Sequence, residues 1–127
     1  MATFYTAKGQ EKVIDYITPG GSAPAAYYVG WGVGTPAAEA STTLVNASTE
    51  SRVSGTPTQP SVDILQVVAQ IVADGIKTIT ECGLFNAAGT GSPPTGGDLI
   101  IHSSFTGIVL ALGDKIEFTI THQQNNG

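Results

Sequence analysis

Few residues of this 127-residue chain have types and spacing that could support catalysis. The most suggestive group is His102, Ser103 and Ser104, which could pair a general base with a nucleophilic hydroxyl. They lie in a segment that alternates like a β-strand, and adjacent strand residues point to opposite faces. These side chains therefore cannot converge on one substrate as a catalytic triad does. We predict no catalytic residues and a protein that is not an enzyme.

Ligand-binding motifs are equally sparse. The alternating glycines from Gly30 to Gly34 superficially resemble a phosphate-binding loop, but they lack the G-x-G-x-x-G spacing and no Lys-Ser or Lys-Thr pair follows. Cys82 is the only cysteine and there are two histidines, so the usual zinc patterns cannot be assembled. We expect no metal and no cofactor.

Glu81 is the acidic residue whose position is hardest to explain. Strand alternation places it on one face with Ile79 and Phe85, where a carboxylate is costly unless it is paired or hydrated. It could be a functional acid. We favour a structural ion pair with Arg52 or Lys115, or a position in a subunit contact.

The charge of the chain restricts its partners. Ten acidic and five basic residues give a net charge of −5, which disfavours nucleic acid and anionic membrane surfaces. Charged residues make up 12% of the chain, about half of the roughly 25% of ordinary domains. Such a surface favours association with other subunits, although a soluble β domain with small polar side chains would have the same composition. No signal-peptide-like run is present, so we expect synthesis in a cytoplasm-like compartment.

The N-terminal region, residues 1–21, is predicted to be a short helix or an arm. In residues 10–17 the apolar positions Val13, Ile14 and Ile17 share one helical face, and a Pro-Gly-Gly sequence ends the segment. This region could reach a neighbouring subunit, or it could cap its own domain.

Residues 22–127 are predicted to form a single β domain. Around Trp31 the apolar side chains alternate with glycines, which suggests that another backbone or a bulky side chain approaches closely. Two strands are expected to form a hairpin about Asp74 and Gly75, and the final strand alternates Ile116, Phe118 and Ile120 with polar residues. Long loops are expected at 34–60 and 86–98, the first with a possible edge strand at 51–54, and the polar tail from His122 onward is expected to fray.

These elements indicate a mainly β protein with a β-sandwich or jelly-roll-like fold and a short N-terminal helix or arm. The ordered motifs of the chain also resemble a family of small tailed-phage virion proteins. The segments that carry the resemblance are KVIDYI (12–17), YYVGWGVGT (27–35), TLVNASTESRVSGT (43–56), TECGLFNA (80–87) and LGDKIEFTIT (112–121).

The resemblance implies a capsid decoration, or cement, protein that binds the major capsid protein on the outer surface of the virion after synthesis in the host cytoplasm. Self-association as a homotrimer, or alternatively a dimer, is expected, without nucleic acid or membrane partners. A tail-fibre or receptor-binding module and a lectin-like jelly roll are the alternatives. The residues expected at structural or interface positions are Val13, Ile14, Ile17, Trp31, Arg52, Glu81 and Phe85.

Overall fold

The computed structural model describes residues 2–21 and 23–123 and confirms the mainly β fold. Its elements, in chain order, are β1 (Ala2–Tyr5), α1 (Ala7–Ile17), β2 (Tyr28–Gly32), β3 (Val53–Ser54), β4 (Thr56–Ser61), β5 (Ile64–Val72), β6 (Lys77–Phe85), β7 (Leu99–Leu110) and β8 (Lys115–Gln123). One antiparallel sheet has the order β1-β7-β6-β2-β3 and the other has the order β4-β5-β8. Two facing antiparallel sheets are compatible with a β-sandwich.

The main hydrophobic core joins the two sheets. Val29 and Trp31 of the five-stranded sheet lie in the same buried cluster as Val67 and Ile71 of the three-stranded sheet. The alternation of β8 is also confirmed, because its apolar side chains pack against this cluster and its polar side chains are exposed. A smaller cluster of Leu44, Phe85 and Leu99 is separate from the main core.

The prediction that Ile79 and Glu81 share a strand face is wrong. The pairing of β6 with β7 shifts register between these two residues, so a β-bulge separates them. Ile79 stays in the main core, whereas the carboxylate of Glu81 contacts the loop that follows β2. A bulge adds a residue to one strand and so changes which face the following side chains occupy.

The predicted hairpin about Asp74 and Gly75 is also wrong. β5 pairs with β4 and β8, whereas β6 pairs with β2 and β7, so the connection between β5 and β6 crosses from one sheet to the other. Gly75 does not adopt the positive φ that a type I′ turn requires. The Asp-Gly pair is a valid turn signal, but strand pairing is decided by burial of the two apolar faces.

Within the region predicted as a loop at 34–60, the possible edge strand at 51–54 is confirmed as β3, and β4 also lies there, so the strand-free part is shorter than expected. The remaining strand-free part covers the glycine-rich face of β2. A Cβ atom on Gly32 would lie 2.5 Å from the carbonyl oxygen of Asn46 and 2.7 Å from Glu81 Oε2. The predicted close approach to this face is therefore confirmed, and residues 86–98 form the second long connection as expected.

The N-terminal region packs on β7 of its own chain. β1, which sequence reasoning missed, pairs with Ile101–Ser104, and the buried Thr6 side chain accepts a hydrogen bond from the Gly9 amide as the N-cap of α1. A Cβ on Gly9 would collide with the backbone of Ile100, so the helix lies close to the sheet at this point.

The apolar residues predicted to share one face of α1 are unequally buried. Val13 is half-buried, whereas Ile14 and Ile17 are 58% and 74% exposed. No helix in the described part of the chain is long and apolar enough to cross a membrane. Of the tail predicted to fray, His122 and Gln123 belong to β8, and residues 124–127 lie outside the described residues.

Candidate functional site

A dense group of buried polar contacts surrounds the carboxylate of Glu81. Its Oε1 accepts hydrogen bonds from the Val45 amide and from His102 Nε2, both at 2.8 Å. Its Oε2 accepts from the amides of Gly34 and Asn46, also at 2.8 Å. We call these five residues the Glu81 anchor, because they attach the loop after β2 to the five-stranded sheet.

Sequence, bulge and sheet pairing together produce this anchor. The bulge in β6 turns Glu81 toward the loop, and the neighbouring β7 places His102 beside it. Because Gly32 and Gly34 have no side chains, the loop backbone approaches the carboxylate closely enough to donate its N–H groups. The partners predicted for Glu81, Arg52 and Lys115, are therefore wrong: its partners are a histidine and three backbone amides.

Burial and hydrogen bonding act in opposite directions on Glu81. Both Glu81 and His102 are completely buried. Desolvation raises the pKa of Glu81, but the hydrogen bonds from His102 and the three backbone amides outweigh it, so the pKa lies below its ordinary value. An ionised carboxylate only accepts hydrogen bonds, so His102 donates from Nε2.

The geometry of the Glu81 anchor suits support rather than turnover. Each carboxylate oxygen already accepts two hydrogen bonds, and neither Glu81 nor His102 has surface through which a substrate could reach it. A general acid or base must lie within hydrogen-bond reach of the group that it protonates or deprotonates. In this conformation the anchor can hold a loop in place.

Arg52 performs a similar task for the second long connection, residues 86–98. Its guanidinium lies 3.5 Å from the centroid of the Phe85 ring, a cation–π arrangement. Nη1 donates to the carbonyl oxygens of Ala87 at 3.0 Å and Gly96 at 2.8 Å. Desolvation lowers the pKa of Arg52. Arg52 and Phe85 thus anchor this connection from the loop-covered side of the sheet.

A third polar cluster, around Lys77, was missed by sequence reasoning. Lys77 Nζ forms ion pairs with Glu50 and Asp74 and donates to Ser48 at 2.9 Å, which joins the loop after β2 to the start of β6. Desolvation raises the pKa of Glu50, but polar contacts led by Lys77 and Ser48 outweigh it and hold the pKa at about 2. The i, i+3 spacing of Asp74 and Lys77 was a local signal, whereas the contact with Glu50 depends on the tertiary fold.

Of the positions named as structural or interface residues, Trp31, Arg52, Glu81 and Phe85 are all buried. Trp31 packs edge-on against Phe118, with 6.2 Å between ring centroids. Ile14 and Ile17 are exposed, and Val13 is half-buried. Sequence reasoning did not name His102 as a structural residue. The feature that could have indicated this role is the polar run His102–Ser104 inside an otherwise apolar strand.

Four exposed apolar side chains lie in or beside two of the three crossings between the sheets, those from β5 to β6 and from β7 to β8. Hydrogen bonds from the Gly113 amide to Ala73 and from the Ala73 amide to Asp114 hold these two crossings together. Ile76 (86% exposed) and Leu112 (73%) lie within these crossings, and Val72 (47%) and Val109 (75%) flank them on the outer faces of β5 and β7. We call this set the end patch.

A groove of about 690 Å³ opens between the two sheets along β7 and β8. Its walls include Phe105 and Ile108 of one sheet and Ile116, Phe118 and Ile120 of the other. Among the described residues, no group of three or more histidine, cysteine or acidic side chains could hold a metal ion.

Cys82 also lines the groove, and burial is the main reason that its thiol pKa is raised to about 12. A thiol with so high a pKa is a poor nucleophile at neutral pH, because the thiolate is the reactive form.

Comparison with protein families, curated proteins and solved structures finds no match for this chain.

Proposed function

We propose that this chain is a structural protein of a tailed-phage particle, a capsid cement protein that binds major capsid subunits on the outer surface of the head. In this role it bridges neighbouring subunits and opposes the outward pressure of packaged DNA by many weak contacts acting together. Synthesis takes place in the host cytoplasm, and the protein then joins the virion. The ordered motifs described above supply the phage and capsid part of this proposal.

The observation that carries the binding role is the end patch. Ile76 and Leu112 project from adjacent crossings with more than two thirds of their surface exposed. Scattered single apolar residues are ordinary, but several at adjacent crossings of a small domain are typical of a surface that another protein covers. Burial of such side chains contributes roughly 25 cal/mol per Å² of apolar surface.

The anchored loops support the same role. The Glu81 anchor, the Arg52 contacts and the Lys77 cluster hold both long connections against the five-stranded sheet. A surface that is already rigid loses less conformational entropy when it binds, which favours tight association. Low charge density allows close contact with a partner without desolvating many ionised groups.

Location and copy number in purified particles test the proposal. We expect mass spectrometry of phage particles that contain this protein to give a copy number comparable to that of the major capsid protein, and imaging to place it on the head. A few copies located at the tail would contradict the cement role and favour the receptor-binding module. Absence from particles would contradict both.

Variants of the end patch test the surface itself. Ile76→Asp combined with Leu112→Asp should leave the fold intact, because both side chains are largely exposed, and should abolish binding to expanded heads in a sedimentation assay. Val62→Asp is the matched control, since Val62 is 93% exposed at the opposite end of β5. Equal binding by both proteins would contradict the assignment of the end patch.

A further inference from the structure

Each sheet of a sandwich has two edge strands, and unpaired backbone groups on an edge can accept another strand unless the edge is protected. Among the described strands the edges are β1, β3, β4 and β8. β1 has four residues and β3 has two, so neither offers a long ladder. β4 contains Pro57 and Pro60, which lack the N–H groups that a ladder requires.

β8 is the edge without these protections. It has nine residues, contains no proline, and pairs with β5 along its whole length on one side only. Its outward side chains, Lys115, Glu117, Thr119 and Thr121, are exposed, and its inward apolar side chains are only half-buried because they line the open groove. Within the described part of the chain, no strand pairs with the outer edge of β8, and on the same side its apolar residues are covered only in part by the core.

We propose that β8 pairs antiparallel with β8 of a second copy of this chain about a twofold axis centred on Phe118. The two three-stranded sheets then become one continuous six-stranded sheet. The inward residues of the second copy extend the apolar row beside the open side of the groove, with Ile116 of each copy opposite Ile120 of the other and the two Phe118 residues opposite each other.

The side chains of β8 favour this register. Centred on Phe118, the outward row sets Glu117 opposite Thr119 and Lys115 opposite Thr121, so no like charges meet. A centre at Glu117 would set the two Glu117 carboxylates opposite each other. A centre at Thr119 would replace an apolar pair by Ile116 opposite the imidazole of His122.

A second copy fits this edge better than a ring of subunits does. A ring requires two different edges to pair, and the other edge of the same sheet is β4, whose prolines interrupt the ladder. Pairing of β8 with itself uses one surface twice and closes after two copies. The inference concerns the isolated chain, so its failure would leave the proposed binding to capsids untouched.

Charge variants at Thr119 test the proposal by sedimentation equilibrium. The unmodified chain should form a dimer of twice the 13.0 kDa chain mass. Thr119→Glu should weaken it about tenfold, because it places a carboxylate opposite Glu117 twice per dimer. Thr119→Lys should strengthen it by a similar factor. Thr58→Glu, on the proline-containing edge β4, should leave it unchanged.

Hydrogen exchange gives an independent measurement, since amides of β8 that point outward should gain protection as protein concentration rises. A chain that remains monomeric at millimolar concentration would overturn the proposal, as would a trimer. A dimer that Thr119→Glu does not weaken, or that Thr119→Lys weakens, would overturn the β8 pairing centred on Phe118. Circular dichroism of each variant establishes that the fold is retained.

Discussion

Replacement of Glu81 by glutamine removes the charge of the Glu81 anchor with almost no change in shape. The carboxylate accepts four hydrogen bonds, two at each oxygen. Glutamine has one carbonyl oxygen, and its NH₂ group is a donor that would face donors. If the NH₂ group points toward Gly34 and Asn46, two backbone amides lose their acceptor. If it points toward Val45 and His102, the imidazole can change tautomer, but the Val45 amide is left unpaired.

The size of the expected destabilisation follows from the number of hydrogen bonds lost. Hydrogen bonds to charged groups contribute about 1.5–3 kcal/mol each, and a buried donor left without a partner costs a further desolvation penalty. With one or two bonds lost and the others weakened, we expect Glu81→Gln to lower the free energy of unfolding by about 3 kcal/mol. For a domain of this size that corresponds to a decrease in Tm of roughly 10 °C.

Urea unfolding followed by tryptophan fluorescence measures this change, because Trp31 is the only tryptophan and is buried in the main core. Glu39→Gln is the matched control, since it removes one carboxylate at an exposed position. A Glu81→Gln protein within about 0.5 kcal/mol of the unmodified chain, the range of ordinary surface substitutions, would refute the reasoning.

The pH dependence of the same variant gives a second measurement. The folded-state pKa of Glu81 is lowered, so the carboxylate stabilises the fold fully above its unfolded pKa of about 4.5, and this contribution is lost as pH falls through the folded pKa. The unmodified chain should therefore lose stability in acid, and Glu81→Gln should lose less. Equal slopes in acid would contradict ionisation of Glu81 in the folded protein.

Two further substitutions test the neighbouring contacts. Gly32→Ala should destabilise the fold by about 2 kcal/mol or more in thermal unfolding, because its Cβ would lie 2.5 Å from the Asn46 carbonyl oxygen. Gly75→Ala is the control and should be neutral, since the space around Gly75 is open. Equal effects of the two substitutions would contradict the close approach of the loop to Gly32. Glu50→Gln should remove the part of the acid-induced loss of stability that lies between pH 4.5 and about 2, since the folded pKa of Glu50 is about 2. An unchanged dependence of stability on pH in acid would contradict the contact between Glu50 and Lys77.

Local patterns predicted the elements better than their pairing. The alternation of β8, the glycine face of β2 and the N-terminal helix could all be read from neighbouring residues, because side-chain periodicity reflects which face is buried. The pairing of β5 with β8 rather than β6 could not be predicted, since Asp74-Gly75 is compatible with either a hairpin or a crossing. β1 was missed because four residues are too few to show a period.

For the polar contacts as well, local sequence predicted the need for a partner, and the tertiary structure decided which partner it is. That Glu81 needed a partner followed from its place in an apolar strand, since a buried carboxylate without one is costly. Which partner it has depended on a bulge that turned it away from Ile79, on the pairing that brought His102 to its side, and on a loop whose amides are contributed by distant residues. Arg52 or Lys115 was the expected cation, but Glu81 contacts neither, and Arg52 lies over Phe85 instead.

The sequence by itself determined that this chain is mainly β, low in charge and without a recognisable catalytic or metal motif, because composition and period-two alternation are properties of neighbouring residues. Only the tertiary structure decided which strands are edges, which apolar side chains remain exposed and what surrounds Glu81. These features depend on contacts between residues far apart in the chain, and such contacts are set by how whole faces of the sheets are buried together.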